Sequence, residues 1–560
     1  MREVFGNTLG LKTSELKLLR NTFRRRNSPH EIVNPEVARH LTELSRNINR
    51  QVGILVNRKG EVENVVVGNA HKLELPDIGR ARAGQVRLRG LRLVHTHLRS
   101  EPLTKDDLTD LALLRLDLVA AIGVLEQGLP GPLHFAYLVP VNGNGHLWQT
   151  ETLKSVHDKQ PDVLETVGAL EDEFARQASA QRISGRDRAI LVAVSLEGER
   201  HKAESALSEL SELARTAGVD VVDKVLQVRR DADPRFLIGR GKLEELNLRS
   251  MQLMADLLIF EKNLNPSQGR HIAEETSLRI LDRTQLILDI FAQRAQSADG
   301  KLQVELAQLK YLLPRLSQRD DSLSRLAGGI GGRGPGETKL EVDRRRVRDR
   351  IAQLERRIDH LSEERAVRRS QRSRNQVPVI SIIGYTNAGK STLLNALTES
   401  KVLVEDKLFA TLDPTSRRLR FPRSGEAIIT DTVGFIRDLP PDLMNAFRAT
   451  LEELDEASLL LHVVDASDPA RDEQVRAVEA ILEDLDLLRT PRLMVWNKCD
   501  QLQTQDIEAL LRVRPGVAIS ARSRSGLEQL LENASQTLLA EANDRRLSWV
   551  TRAPISAGAS

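Results

Sequence analysis

The run Gly384-Tyr385-Thr386-Asn387-Ala388-Gly389-Lys390-Ser391 is the tightest constraint in this chain. It lies between an apolar stretch, Val377–Ile383, that reads as a buried strand, and Thr392–Thr398, which reads as a helix. The two glycines let the backbone turn sharply from strand to helix and face its N–H groups inward. Such a turn belongs to an open α/β sheet with a crossover helix. A G-x-x-x-x-G-K-[ST] pattern in that setting is a phosphate cradle. Lys390 is placed to neutralise the β- and γ-phosphates of a nucleoside triphosphate, and the Ser391 hydroxyl to ligate Mg2+.

Later motifs specify the base. Ile428-Ile429-Thr430 leads a strand into Asp431-Thr432-Val433-Gly434. There Asp431 reaches Mg2+ through a water, and the Gly434 N–H senses the γ-phosphate. A strand over Leu493–Trp496 ends in Asn497-Lys498-Cys499-Asp500. The Asp500 carboxylate can accept from both the N1–H and the 2-amino group of guanine, a donor pair that adenine lacks. Ser520-Ala521-Arg522 follows the next short strand and can close over the base. Four motifs in this order on strand ends make the chain a GTPase. Between the first two lies Phe409-Ala410-Thr411-Leu412-Asp413-Pro414-Thr415, where a threonine that closes on Mg2+ belongs; Thr411 and Thr415 both qualify. Phe435 stands where many GTPases carry a glutamine that orients the attacking water. Slow intrinsic hydrolysis, completed by a partner, is the expectation.

Net charge over the whole chain is only +3. Residues 333–375 hold 14 basic and 8 acidic side chains, so that segment is +6 and the remainder −3. All but one of those bases are Arg, which meets phosphate bidentately, so RNA contact is the reading favoured over a solvated, ion-paired helix face. Leu302, Leu306, Leu309, Leu313 and Leu316 recur at coiled-coil spacing, as do Val347, Ile351, Leu354, Ile358 and Leu361. Between the stripes, Gly328-Gly329-Ile330-Gly331-Gly332-Arg333-Gly334-Pro335-Gly336 forbids regular structure. An antiparallel helical hairpin with a basic tip is expected. The single cysteine, Cys499, excludes a disulfide framework and any multi-cysteine metal site. An aromatic content of 3% argues against a single-strand binder built on stacking. No apolar run is long enough to span a bilayer, and no secretory signal is visible at Met1–Val4. A cytoplasmic monomer is expected.

These residues together resemble one family, the HflX GTPases of the Obg–HflX group of translation-factor-related enzymes. The resemblance rests on Gly329–Glu341, on Tyr385-Thr386-Asn387-Ala388 in the cradle, on Phe409–Asp413 and on Asp431–Phe435. Phe236–Lys242 and Asn265–Gln268 are also similar, and the likeness covers about 187–540. It implies GTP and GDP as ligands, Mg2+ as cofactor, and binding to the large (50S) ribosomal subunit with the hairpin tip against its rRNA. Roles in ribosome splitting, rescue or biogenesis follow from the same resemblance; the alternative is a GTP-dependent switch acting on a protein effector. It favours Thr411 as the Mg2+-closing residue beside Ser391, and makes Lys390, Thr411 and Gly434 the catalytic set. Related GTPases with an asparagine at the place of Asn387 use K+ as a fixed positive charge, so K+ is an expected second cofactor. Family members also use ATP through their N-terminal part; Gly239–Lys242 is a weak anion-binding candidate there, against a plain helix start.

The fold class expected is multidomain α/β. A GTPase domain with a mostly parallel sheet (376–540) follows a parallel α/β subdomain (187–300) and the hairpin (301–370). An extra α/β module (1–150), a polar helical linker (151–186) and a tail (541–560) complete the division. In the extra module, His95-Thr96-His97 and Thr104–Asp107 resemble the JAB/JAMM metal-binding fold, where two histidines and an aspartate hold zinc near a basic glutamate. Arg50 stands about where that glutamate belongs, and no proline follows His97. An active hydrolase is thereby disfavoured. An inactive JAB-like module, or an unrelated one with two surface histidines at a strand end, remains.

Overall fold

The computed structural model describes residues 3–76, 78, 87–140, 147–183, 186–231, 233–276, 278–316, 339–373, 377–398, 408–409, 415–421, 425–437 and 454–550. The glycine–arginine loop 328–337 and the residues Ala410, Thr411, Leu412, Asp413 and Pro414 lie outside these. The chain forms two compact units, Met1–Gly198 with Val219–Phe260 and Ser267–Leu281, and Glu199–Gly218 with Glu261–Pro266 and Asp282–Ser560.

The first unit opens with a seven-stranded mixed sheet: β1 (Val4–Gly6), β2 (Val52–Asn57), β3 (Val62–Val67), β4 (Leu91–His97), β5 (Leu118–Val124), β6 (Pro130–Leu138) and β7 (Trp148–Leu153), in the order β1-β3-β2-β4-β5-β6-β7. Strands β2 and β3 form a hairpin, with Val52 opposite Val67. Its turn places Gly60 at φ +81, where a Cβ would stand 1.9 Å from the Asn27 carbonyl oxygen. The helix Pro35–Ile48 covers the sheet: Asn34 caps it by accepting from the Val37 N–H, and Pro35 occupies its first turn. Both faces of β2, β4 and β5 are buried, so they read as continuous apolar runs. The segment 151–186 carries the second half of β7 and the helix Val163–Ile183, and Val156, Val163 and Val167 are buried in this same core.

Beyond β4 the chain turns into a helix that faces the strand's C-terminal end. This helix spans Lys105–Leu114 and ends where Arg115 turns left-handed at its C-terminus. At its start Thr104 and Asp107 form a capping box: the Thr104 N–H donates to Asp107 Oδ2 at 2.7 Å and the Asp107 N–H to the Thr104 hydroxyl at 3.3 Å. A second sheet holds β8 (Arg188–Leu196), β9 (Asp220–Arg229), β10 (Leu257–Phe260) and β11 (Arg279–Asp282), ordered β11-β10-β8-β9, with β8 parallel to both neighbours.

In the second unit the helices Ala298–Leu316 and Lys339–Ser373 pack together, with Leu306 and Leu354 buried. Arg350 pairs bidentately with Glu305 at 2.7 and 3.0 Å, and Lys310 with Glu355 at 2.8 Å. The third sheet comprises β12 (Val379–Gly384), β13 (Thr415–Arg420), β14 (Glu426–Asp431), β15 (Leu459–Asp465), β16 (Arg492–Asn497) and β17 (Val517–Ala518), ordered β13-β14-β12-β15-β16-β17. Only the edge strand β13 is antiparallel to its neighbour. The strand–turn–helix unit expected at the cradle is therefore central in a mostly parallel sheet, where ligands bind at the strands' carboxyl ends.

Candidate functional site

The cradle runs from the end of β12 into the helix Lys390–Thr398. Gly384 sits at φ +148 with its would-be Cβ 2.1 Å from the Val463 carbonyl oxygen, so no side chain fits. Gly389, at φ +91, leaves room for Asn497, whose Nδ2 would be 2.3 Å from an added Cβ. Asn387 is itself left-handed, at φ +61. Lys390 is buried, and its ammonium donates to the carbonyl oxygens of Gly384 and Tyr385 at 3.1 and 2.8 Å. Burial brings its pKa down to about 8, with Asp431 opposing that shift. The Ser391 hydroxyl donates to Asp431 Oδ2 at 2.7 Å, so two hard oxygen donors from β14 and the helix meet, a set suited to Mg2+.

The strand-end segment after β14 is tied to the cradle by its backbone. The Thr386 N–H donates to the Phe435 carbonyl at 2.8 Å and the Phe435 N–H to the Gly384 carbonyl at 3.1 Å. Thr432 donates from its hydroxyl to the Ile382 carbonyl at 2.7 Å. Val433 is buried, and Gly434 allows Lys390 Nζ within 2.9 Å of where a Cβ would stand. The Phe435 ring is buried, so it offers no polar group to a water.

The base-reading residues converge from 100 and more residues away. Asn497 Nδ2 donates to the Ala388 carbonyl at 2.8 Å, and its Oδ1 accepts from the Ala521 N–H at 3.0 Å. One side chain thus joins the cradle to the Ser520–Arg522 loop. Ser520 is buried and its hydroxyl accepts from the Ser523 N–H at 3.2 Å, whereas Arg522 is exposed. Lys498, left-handed at φ +62, pairs with Asp465 at 2.7 Å, and Asp500 is exposed. Cys499 is half-buried, donates to the Trp496 carbonyl at 3.1 Å, and burial pushes its thiol pKa up, as befits a spacer rather than a reactive thiol. Of the switch segment, Phe409 and Thr415 are described, Thr415 opening β13 opposite Asp431, whereas Ala410–Pro414, with Thr411, lie outside the described residues.

Sequence reasoning missed a cluster that reaches these elements. Glu209, on the helix Arg200–Thr216, pairs with Arg283 and with Arg437 at 3.1 Å, and accepts from the Tyr385 hydroxyl at 2.8 Å. The Arg437 N–H in turn donates to that hydroxyl at 3.0 Å. Burial, with Glu209 alongside, raises the Tyr385 phenol pKa. The Leu408 N–H donates to the Thr216 hydroxyl at 3.2 Å, and Phe291 stacks edge-on against Phe409 with centroids 4.6 Å apart. Helices 200–216 and 283–294 therefore hold the cradle's tyrosine and both flanking segments. Only the tyrosine at the first variable cradle position hinted at an outside partner.

Two expectations for the first unit are corrected. His95 and His97 are buried, not surface residues, because they lie on a central strand facing the helix that carries Asp107. The position of Arg50 does not stand by them either: its guanidinium is exposed and donates to the Asn7 and Leu9 carbonyls. Gly239–Lys242 forms a plain helix start, with the Gly239 N–H donating to Gln227 Oε1 at 3.1 Å and Lys242 paired with Glu245 at 2.7 Å.

Residues 204–292 match a family model described as GTP-binding GTPase N-terminal, 294–372 one described as GTP-binding GTPase Middle Region, and 379–498 one described as 50S ribosome-binding GTPase. The GTPase HflX of Caldanaerobacter subterraneus subsp. tengcongensis is 49% identical over 380 residues, 67% of this chain and 84% of that protein. The GTPase HflX of Escherichia coli strain K12 is 44% identical over 344 residues, 61% of this chain and 81% of that one. A GTP-binding protein of Sulfolobus solfataricus, solved with GDP, overlaps 63% of this chain and 99% of its own at 24% identity and a TM-score of 0.35, too loosely to build on. Among the described residues no helix is long and apolar enough to cross a membrane. With relatives this similar over most of their length, the chain belongs to the HflX family of GTP-hydrolysing P-loop enzymes.

Proposed function

We propose that the chain binds GTP with Mg2+ in the cradle Gly384–Ser391 and acts, as a cytoplasmic monomer, on the large (50S) ribosomal subunit. One observation carries the nucleotide site: Asn497 ties Ala388 to Ala521 while Asp500, on the same loop, keeps its carboxylate exposed for guanine. Ser391 and Asp431 would hold the Mg2+, with Thr411 closing on it; when bound, the ion would offset charge on the phosphates. Lys390 exchanges its two carbonyl partners for phosphate oxygens, and the Gly434 N–H meets the γ-phosphate. Since Phe435 cannot orient a water, the ribosome completes the site. Asn387 would hold a K+ ion that would supply a further positive charge, and equal rates in Na+ and K+ buffers would remove that part of the reading. We take 1–150, 151–186, 187–300, 301–370, 376–540 and 541–560 as the functional divisions.

Ribosome binding is supported by the description of the model matched at 379–498 and by the +6 segment at 333–375. The test is sedimentation of the full chain with large subunits and a non-hydrolysable GTP analogue, across a salt series. Co-sedimentation that weakens steeply with salt is expected. Absence of the protein from the large-subunit fraction at low salt would overturn the ribosomal reading and favour a protein effector.

A further inference from the structure

Glu209 grips two parts of the GTPase domain from a helix outside it. Its Oε2 accepts from the Tyr385 hydroxyl at 2.8 Å and pairs with Arg437 Nε at 3.1 Å. Its Oε1 pairs with Arg283, the first residue of the helix Arg283–Arg294. The two oxygens are thus divided. One faces the cradle and the segment after β14; the other faces that helix. The Glu209 and Arg283 side chains are only 15% and 8% exposed, so water poorly replaces a lost partner.

Arg437 has a second partner within reach. Its Nη1 lies 4.0 Å from Glu473, on the helix Arg471–Asp484. Arg437 stands three residues past Gly434, and the stretch between is zipped to the cradle by the Phe435 backbone bonds to Gly384 and Thr386. A γ-phosphate that draws in the Gly434 N–H pulls on this stretch. Arg437 can then leave Glu209 for Glu473, which gives two discrete arrangements rather than a graded shift.

The helix side leads to the hairpin. Asp282, next to Arg283, is buried and caps the helix by accepting from the Gln285 N–H at 3.0 Å. Its Oδ2 accepts from the Tyr311 hydroxyl, from Arg315 at 3.2 Å and from the Leu264 N–H at 3.1 Å. Tyr311 and Arg315 stand in the last turns of Ala298–Leu316, the hairpin arm that leads toward the glycine–arginine loop, and the Arg315 guanidinium stacks on the Tyr311 ring at 3.4 Å. Two consecutive residues at one capped helix start therefore hold the hairpin arm and Glu209.

We propose that Glu209 is a nucleotide-state latch. It holds Tyr385 and Arg437 in the arrangement that GDP allows and yields when a γ-phosphate engages Gly434. Arg283 and Asp282 pass the change to the hairpin arm. Glu209, Arg283 and Asp282 are positioning residues, acting through Tyr385 and Arg437. By linkage, whatever holds the hairpin arm changes the preference for GTP over GDP by the same factor. The proposal rests on the reading of Gly384–Ser391 as the GTP cradle and is independent of the ribosomal reading.

The full-length chain is titrated with fluorescent GDP and with a fluorescent, non-hydrolysable GTP analogue, and the ratio of the two affinities is the readout. A residue that only stabilises the fold would weaken both nucleotides alike and leave the ratio in place. Glu209→Gln is expected to move the ratio toward the GTP analogue by about two- to tenfold, the scale of one or two hydrogen bonds. Tyr311→Phe, in the hairpin arm, is expected to move it by about two- to fivefold alone and not at all in the presence of Glu209→Gln. A ratio unmoved by either single variant overturns the latch, as does a Tyr311→Phe effect of equal size in both backgrounds. An unaltered chain that binds neither nucleotide would remove the cradle reading and the latch with it, whereas bound nucleotides with an unmoved ratio remove the latch alone.

Discussion

The cradle after β12 and the histidine pair on β4 both lie at the end of a central strand that passes into a helix, yet they are assembled by different means. At Gly384–Ser391 eight contiguous residues suffice, because the backbone itself forms the cradle and glycine conformations shape it. At His95, His97 and Asp107 the backbone is ordinary, and it is side chains from strand and helix that converge. A contiguous backbone site can be recognised from spacing alone. A side-chain site exists only once a fold brings its members within a few ångströms.

The largest expected effect falls on the cradle. Lys390→Ala should lower single-turnover GTP hydrolysis by about 10²–10³-fold, the scale of losing one electrostatic group at a reacting phosphate. A rate unchanged from that of the unaltered chain would remove Lys390 from the phosphate site. Next come two glycines that serve different ends. Gly389→Ala places a Cβ at positive φ against Asn497 and costs about 1–3 kcal/mol of strain, which should show as tenfold or weaker binding of a fluorescent GTP analogue. Gly53→Ala, at ordinary φ, crowds His95 and Leu73 and should lower stability by about 1–3 kcal/mol in denaturant titrations, leaving nucleotide affinity intact.

A third histidine sharpens the contrast. His462 on β15 is fully buried and neither ring nitrogen has a partner. Burial, reinforced by Arg492, Arg514 and Lys390, holds its pKa down at about 3 against an ordinary 6.5. The unfolded chain therefore binds the proton first. Stability is full above about 6.5 and is lost as pH falls toward 3, by about 1.4 kcal/mol per pH unit. His462→Leu should flatten that dependence in denaturant titrations between pH 7 and 4.5; an unchanged slope would refute the assignment. The smallest effect is expected at Glu209. Glu209→Gln weakens its bonds to Arg283, Arg437 and Tyr385, and should change kcat/KM by a few-fold, about 0.5–1.5 kcal/mol. Combining it with Tyr385→Phe should add less than the two single effects, since they share one bond.

The nucleotide motifs were legible in the sequence because each is short and its chemistry resides in the backbone turn or in one carboxylate. The order of cradle, Asp431–Gly434, Asn497–Asp500 and Ser520–Arg522 along alternating strands and helices sufficed for a parallel sheet and a GTPase. The Arg bias at 333–375 was equally plain, since composition needs no fold. Tertiary structure alone decided the rest. Glu209 meets Tyr385 across 176 residues, and Asn497 meets Ala388 across 109. No periodicity encodes such partners. The histidines illustrate the same limit: strand alternation put His95 and His97 on one side, but neither their burial nor the approach of Asp107 could be read before β2, β4 and the helix Lys105–Leu114 were packed together. Local geometry is written in neighbouring residues, whereas burial and convergence arise only when distant segments exclude water between them.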